Sequence, residues 1–179
     1  MAKLAFVSHD DKILTTPLPP FPGRLTKAEK RELERMSDLL LDMPNAIAIA
    51  APQVGIPIRA FTVRDGGGAY VMVDPVVVWH SDSDPDEIIL GEGNIPIPRR
   101  APSWEQCLSI PGVEHLVIRP MLLKLEYSTL KGIRHRASYH GFHARVVAHE
   151  VDHLNGILIS DLSSGHRELG EDDQDKPCM

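Results

Sequence analysis

Apolar positions recur along this chain with two different periods, and the periods divide it into strands and two helices. Leu33, Met36, Leu40 and Met43 follow one another at spacings of three and four, the stripe of an amphipathic helix. Thr26 with Glu29 three residues later is a capping-box pattern that opens this helix, and Pro44 ends it near Met43. Residues 59–63 and 69–73 read as two strands joined by the turn Asp65-Gly66-Gly67-Gly68, and residues 76–79 continue the sheet. Asp, Ser, Pro and Gly dominate residues 80–102, which predicts mostly loop with a short strand at 87–90. Residues 116–119 and 121–127 read as extended. A turn at Leu130-Lys131-Gly132 leads to a partner strand at 134–139, and residues 157–159 predict a last short strand.

The second helix begins after Tyr139-His140-Gly141. Phe142, Val146, His149 and His153 trace one stripe at spacings of four, three and four, Val147, Val151 and Leu154 widen the apolar surface, and Asn155-Gly156 supplies a stop. Such a helix is buried rather than wet. Strands around two helices, without regular βαβ alternation, indicate an α+β domain of antiparallel or mixed sheets around this helix. One domain is expected over residues 1–165, with a polar, acidic and disordered tail over 166–179.

Charge and composition narrow the classes. The net charge is −6 and the basic residues are scattered, whereas direct nucleic-acid binding needs a concentrated basic face. No apolar run reaches membrane-spanning length and the first residues lack a signal-peptide core, so no membrane partner is expected. Cys107 and Cys178 lie far apart without a secretory signal, which predicts a reducing cytoplasm, or an organelle if a targeting segment has been removed.

The chemistry concentrates in Ala148-His149-Glu150-Val151-Asp152-His153, which contains His-Glu-x-x-His. Four residues are about one helical turn, so both imidazoles share a face with the Glu150 carboxylate beside them. Two neutral imidazoles can hold a divalent metal, and an adjacent carboxylate can take a proton from water. A solvated surface helix would carry the same pattern without chemistry. Burial argues for the metal, since two histidines and a glutamate are costly inside unless something satisfies them. A third ligand must come from elsewhere. Carboxylates and histidines are candidates, and Cys107, otherwise a buried thiol without a role, is the better one.

Three segments resemble the signature motifs of peptide deformylases, which remove the formyl group from the N-terminal methionine of new polypeptides. Ala46-Ile47-Ala48-Ile49-Ala50-Ala51-Pro52-Gln53 resembles Gly-x-Gly-x-Ala-Ala-x-Gln. Glu105-Gln106-Cys107-Leu108-Ser109 resembles Glu-Gly-Cys-Leu-Ser, and the histidine segment resembles Gln-His-Glu-x-Asp-His. Order and approximate spacing also match, over about residues 12–162. The resemblance implies that Cys107, His149 and His153 ligate one divalent metal, Fe2+ in the cell, with Zn2+, Ni2+ or Co2+ able to replace it in isolated protein. It implies Glu150 as general base and then acid, with the Gln53 amide and the Leu108 backbone N–H as oxyanion donors. Ile47, Ala48, Glu105 and Gln106 are expected beside the N-formylmethionyl peptide of a nascent chain, and Phe142 and Val146 are placed to line a slot for its methionine.

Four departures stand out. Ala46 and Ala48 replace both glycines of the first motif, Gln106 replaces the glycine before the cysteine, and Ala148 replaces a glutamine. If the first two positions need positive φ or close peptide approach, each added methyl is unfavourable. None removes a ligand, the base or the oxyanion amide, so altered peptide preference or rate is expected. The acidic Glu171-Asp172-Asp173-Gln174-Asp175 would repel ribosomal RNA, which weighs against ribosome docking through the tail. Two rival readings remain at this point: a small zinc endopeptidase with a different third ligand, and a metal- or peptide-binding module without turnover.

Overall fold

The computed structural model describes residues 4–21, 23–83, 89–90, 96–170 and 178. Thr26 opens helix α1 (Lys27–Leu41) with both halves of a capping box. Its hydroxyl accepts from Glu29 N–H at 3.2 Å, and Glu29 Oε2 accepts from Thr26 N–H at 2.6 Å. The helix buries Leu33, Met36 and Leu40 against Ile49, Ala60 and Val71 of the neighbouring sheet. It stops at Leu41, with Asp42 as its C-cap, two residues before the expected end.

That sheet has five strands: β1 (Ala48–Ala50), β2 (Ala60–Asp65), β3 (Gly68–His80), β6 (Leu122–Ser128) and β7 (Arg134–His140), paired antiparallel in that order. β1 is therefore an edge strand. A second sheet holds β4 (Arg100–Cys107), β5 (Ile110–Pro120) and β8 (His166–Glu168), also antiparallel. Helix α2 (Gly141–Leu154) packs against β1 and β7 of one sheet and β5 of the other. Its Val146, Val147, Val151 and Leu154 enter a core with Ala48, Phe61 and Leu125. Burial of this apolar surface holds the two sheets on one helix.

The α+β class and most strands stand where the apolar pattern puts them. Three expectations need correction. β4 begins at Arg100, inside the segment read as loop, because its register with β5 runs back to Pro120. Residues 157–159 do not form a strand: a one-turn helix α3 (Ile159–Leu162) begins there instead, and Asp161 accepts from Leu158 N–H at 2.9 Å. The tail is not structureless from residue 166, because β8 pairs Val113, Glu114 and His115 of β5. Of the short strand expected at 87–90, residues 87 and 88 lie outside the described residues, while Leu90 bridges Pro96.

Candidate metal centre

α2 turns His149, Glu150 and His153 inward, at 1%, 0% and 1% exposure. The β4–β5 hairpin brings the third donor. Cys107 ends β4, faces Ile110 across the two-residue turn Leu108-Ser109, and points its thiol at the helix. Cys107 Sγ lies 3.3 Å from His153 Nε2, and one donor atom from each of Cys107, His149 and His153 falls within 4.8 Å of the others. Sulfur and nitrogen donors around one tetrahedral ion of zinc size stand roughly 3.3–3.6 Å apart. The Cys107–His153 separation matches that spacing, and the three donors lie close enough together to share one ion.

The hydrogen-bond inventory supports a cation there. His149 Nδ1 donates to Glu105 Oε2 at 3.1 Å, while its Nε2 has no partner among the described residues. Neither oxygen of the fully buried Glu150 has a partner either. Orphaned buried polar atoms of this kind are rare and expensive, and a divalent ion satisfies His149 Nε2 directly and compensates the carboxylate.

Burial dominates the electrostatics. It pushes the Glu150 carboxyl well above its usual range, with Arg119 opposing it and Asp152 and Glu105 adding to it. Burial lowers His149 and takes His153 well below the usual histidine value, so both imidazoles are neutral and able to ligate. Burial also raises the Cys107 thiol to about 12, against the N–H groups of Ser109 and Ile110 and the Ser109 hydroxyl, which favour the thiolate. A coordinating cation removes that proton.

Behind the triad lies a charged cluster that the motifs did not announce. Glu105 is buried and accepts from Arg119 Nε at 2.7 Å and Nη2 at 3.0 Å, from Arg145 Nη1 at 2.5 Å, and pairs with His149. Arg119 also reaches Asp152 at 2.6 Å. Desolvation alone would raise Glu105, but the His149 and Arg119 contacts outweigh it and hold the carboxyl at about 2. Glu105, expected beside the peptide, thus turns inward and orients His149. Arg145 and His149 stand four residues apart on α2, so a buried helix face carrying an arginine was the available signal.

Gln53 is fully buried and held in one orientation. Its Oε1 accepts from Ala50 N–H at 2.8 Å, which leaves Nε2 to donate to Ser109 Oγ at 3.1 Å and to reach Cys107 Sγ at 3.8 Å. Ala48 begins the edge strand β1 and shares a core cluster with Val146, and Ile47, just before the strand, packs against that cluster. Phe142 sits on the first turn of α2 at 51% exposure, away from the buried stripe. Gln106 and Leu108 line a cleft of about 510 Å³ with Cys107, Ala46, Ile110 and Pro111.

The substituted motif positions are accommodated without backbone strain. Neither Ala46 nor Ala48 has a positive φ; both are buried in ordinary apolar contacts. Gln106 donates to Glu114 Oε1 at 3.1 Å, and Ala148 packs against the core around α2.

Comparison with known proteins gives one consistent answer. The family model described as polypeptide deformylase matches residues 3–168. A peptide deformylase of Thermotoga petrophila is 31% identical over 153 residues, covering 86% of this chain and 80% of its own. The crystal structure of the Thermotoga maritima peptide deformylase superposes with a TM-score of 0.76 at 27% identity, covering 92% of this chain and all of that one. A Met-Ala-Ser-bound peptide deformylase from Acinetobacter baumannii gives 0.72 at 30% identity, covering 90% and 98%.

Proposed function

Because the chain belongs to the polypeptide deformylase family, we propose the following division of labour among its residues. The protein is a peptide deformylase, a hydrolase that removes the formyl group from the N-terminal formylmethionine of nascent polypeptides and releases formate. The observation that carries the assignment to this site is the convergence of Cys107, His149 and His153 with an unpartnered Glu150 beside them.

A divalent cation held by Cys107, His149 and His153 would supply Lewis acidity at the formyl group. Glu150 takes a proton from the attacking water and returns it to the departing amine nitrogen, so the C–N bond breaks to formate and a free N-terminus. Its burial suits it to both steps, since a carboxyl raised toward neutrality can accept and then give up a proton. Gln53 Nε2, aimed by the Ala50 contact, donates to the oxyanion as it forms. The Leu108 backbone N–H, in the turn after the thiol, is the second donor. Each such donor is typically worth about 3 kcal/mol of barrier.

One sulfur and two imidazoles favour Fe2+, Co2+, Ni2+ or Zn2+ over Mg2+, and the family resemblance makes Fe2+ the expected resident ion. The formylated peptide takes the open edge where Ile47 leads into β1 at Ala48, opposite Gln106, with its methionine toward Val146 and Phe142 at the rim. A nascent-chain substrate places the work in the cytoplasm. No helix among the described residues is long and apolar enough to cross a membrane. The acidic residues 171–175 offer ribosomal RNA no basic face, so docking is not routed through them.

The test is formate release from formyl-Met-Ala-Ser by protein loaded with Fe2+ or Ni2+ under anaerobic conditions. Turnover that disappears in Glu150→Ala is expected. Absence of turnover in the loaded wild type, or equal turnover in Glu150→Ala, would overturn this assignment of roles.

A further inference from the structure

Gln106 stands where the family pattern has glycine, beside Cys107, and its side chain is tied down on one side only. Its Nε2 donates to Glu114 Oε1 at 3.1 Å across the β4–β5 hairpin. Glu114 is fixed in turn, because its Oε2 accepts from Arg167 Nε at 2.8 Å and Nη2 at 2.6 Å. The Arg167 guanidinium lies over the Trp104 ring, 4.4 Å from its centre. A carboxylate accepts and cannot donate, so the Gln106 amide has one orientation, with its NH2 toward Glu114 and Oε1 turned away. Among the described residues no donor reaches Oε1, and the oxygen is not sealed in.

Strand geometry decides what that oxygen can meet. Glu105 and Cys107 turn toward α2, where they reach His149 and His153. Gln106 between them therefore points to the opposite face of β4, as alternate residues of a strand do. Gln106 and Cys107 both line the cleft. A peptide lying extended against β4 obeys the same alternation. With its formyl group at the triad and its methionine side chain toward Val146 of α2, the side chain of its second residue points the other way, to the face that carries Gln106.

We infer that Gln106 is a specificity-determining residue, whose fixed side-chain carbonyl selects peptides with a hydrogen-bond donor on their second side chain: serine, threonine or asparagine after the formylmethionine. The inference rests on the deformylase reading for the identity of the peptide. A hydroxyl or amide donates to Oε1, whereas an aliphatic side chain of the same shape covers the oxygen and leaves it unpaired, which is the more unfavourable of the two outcomes. The cleft is open to water, so the discrimination falls at about three- to tenfold. A glycine at this position offers no side chain to make it. The contact is the same in bound substrate and transition state, so it is read in KM.

The experiment measures formate release by the metal-loaded full chain on formyl-Met-Thr-Ser and formyl-Met-Val-Ser, whose second residues share a shape and differ by one hydroxyl. Wild type is expected to show a KM about three- to tenfold lower for the threonine peptide, with no such split in kcat. Gln106→Met keeps the length and removes the carbonyl, and Gln106→Gly removes the side chain; in both, the ratio of the two KM values should fall to about one. A merely structural role for Gln106 would alter both peptides together and leave their ratio in place. Calorimetric Kd values for the products Met-Thr-Ser and Met-Val-Ser should split by the same factor in wild type, a readout that needs no turnover. Equal KM and Kd for the two peptides in wild type, or a wild-type ratio that survives in Gln106→Met, would overturn the inference. Absence of formate release from both peptides in wild type would count against the deformylase reading, and the Kd comparison would still decide this one.

Discussion

Arg145 is the residue whose replacement tests the buried charge cluster most directly. It is 6% exposed and donates to Glu105 Oε1 at 2.5 Å, Ala101 O at 2.6 Å and Val117 O at 3.0 Å. Its guanidinium therefore ties α2 to β4 and β5 while sharing Glu105 with Arg119. Counted with both carboxylates ionised, Glu105 and Asp152 balance Arg119 and Arg145, and His149 adds no charge. Arg145→Met keeps most of the side-chain length and leaves this cluster with one uncompensated buried negative charge. Glu105 would keep Arg119 and His149, so the loss is one charge-assisted hydrogen bond, about 1.5–3 kcal/mol, and not the whole ion pair. Two carbonyls losing a donor add roughly 1 kcal/mol more in total, at the low end because a carbonyl with one partner is tolerated. The expected destabilisation is about 2.5–4 kcal/mol, or roughly 10 °C in Tm for a chain of this size. Urea denaturation of Ni2+-loaded protein measures it. Arg145→Lys should recover part of the loss, because an ammonium keeps the charge but cannot fork between Glu105 and two carbonyls. A change below about 1 kcal/mol in Arg145→Met at unchanged m, or Lys no better than Met, would refute the account.

Glu150→Gln should lower kcat by about 10²–10⁴ while the protein binds one metal ion per chain as wild type does, measured by formate release beside elemental analysis. Gly156→Ala should cost about 2 kcal/mol or more in urea, because its φ is 70° and an added Cβ would lie 2.8 Å from the Thr15 backbone; a neutral result would mean that the Thr15–Pro17 segment yields freely. Acid should unfold the protein through Glu105. Its folded value of about 2 lies below the ordinary 4.5, so its stabilisation is complete above pH 4.5 and is lost as pH falls toward 2. The contribution is of the order of 3 kcal/mol, and a urea midpoint flat between pH 5 and pH 3 would contradict it.

Much of the fold was legible because the residues that decide it act locally. Thr26 and Glu29 cap α1 with no help from the rest of the chain. The glycine-rich turn at residues 65–68 joins β2 and β3 as read, and the α2 stripe buries Val146, His149 and His153. Residues 157–159 misled because a run of three apolar residues has no period, and a one-turn helix capped by Asp161 suits it as well as a strand. β8 escaped because His166, Arg167 and Glu168 carry no apolar signal; their pairing is set by the free edge of β5. Backbone hydrogen bonding, which composition does not encode, decided β8. In the site, His149, His153 and Glu150 were readable from spacing and Cys107 from the resemblance, whereas Arg119 and Arg145 were not. Their partner Glu105 is distant in sequence, and an arginine on a strand or helix is usually a solvated one.

The motif substitutions and the ligand set now separate into two kinds of change. Cys107, His149, His153, Glu150 and Gln53 meet in the interior, where packing holds them and Glu105 orients His149. Ala46 and Gln106 lie instead along the walls of the cleft. Each replaces a glycine, and neither occupies a backbone conformation that glycine alone can adopt. Their added atoms therefore act by taking up groove volume and, for Gln106, by fixing the side chain on Glu114. On the proposed assignment the reacting carbon meets the triad and not the cleft walls, so groove volume bears equally on bound substrate and transition state. Differences of that kind appear in KM and leave kcat in place. Ala46 and Gln106 thus bear on peptide affinity under the proposed assignment, whereas Ala48 and Ala148 pack in the core around α2 and leave the proposed ligands and base in place.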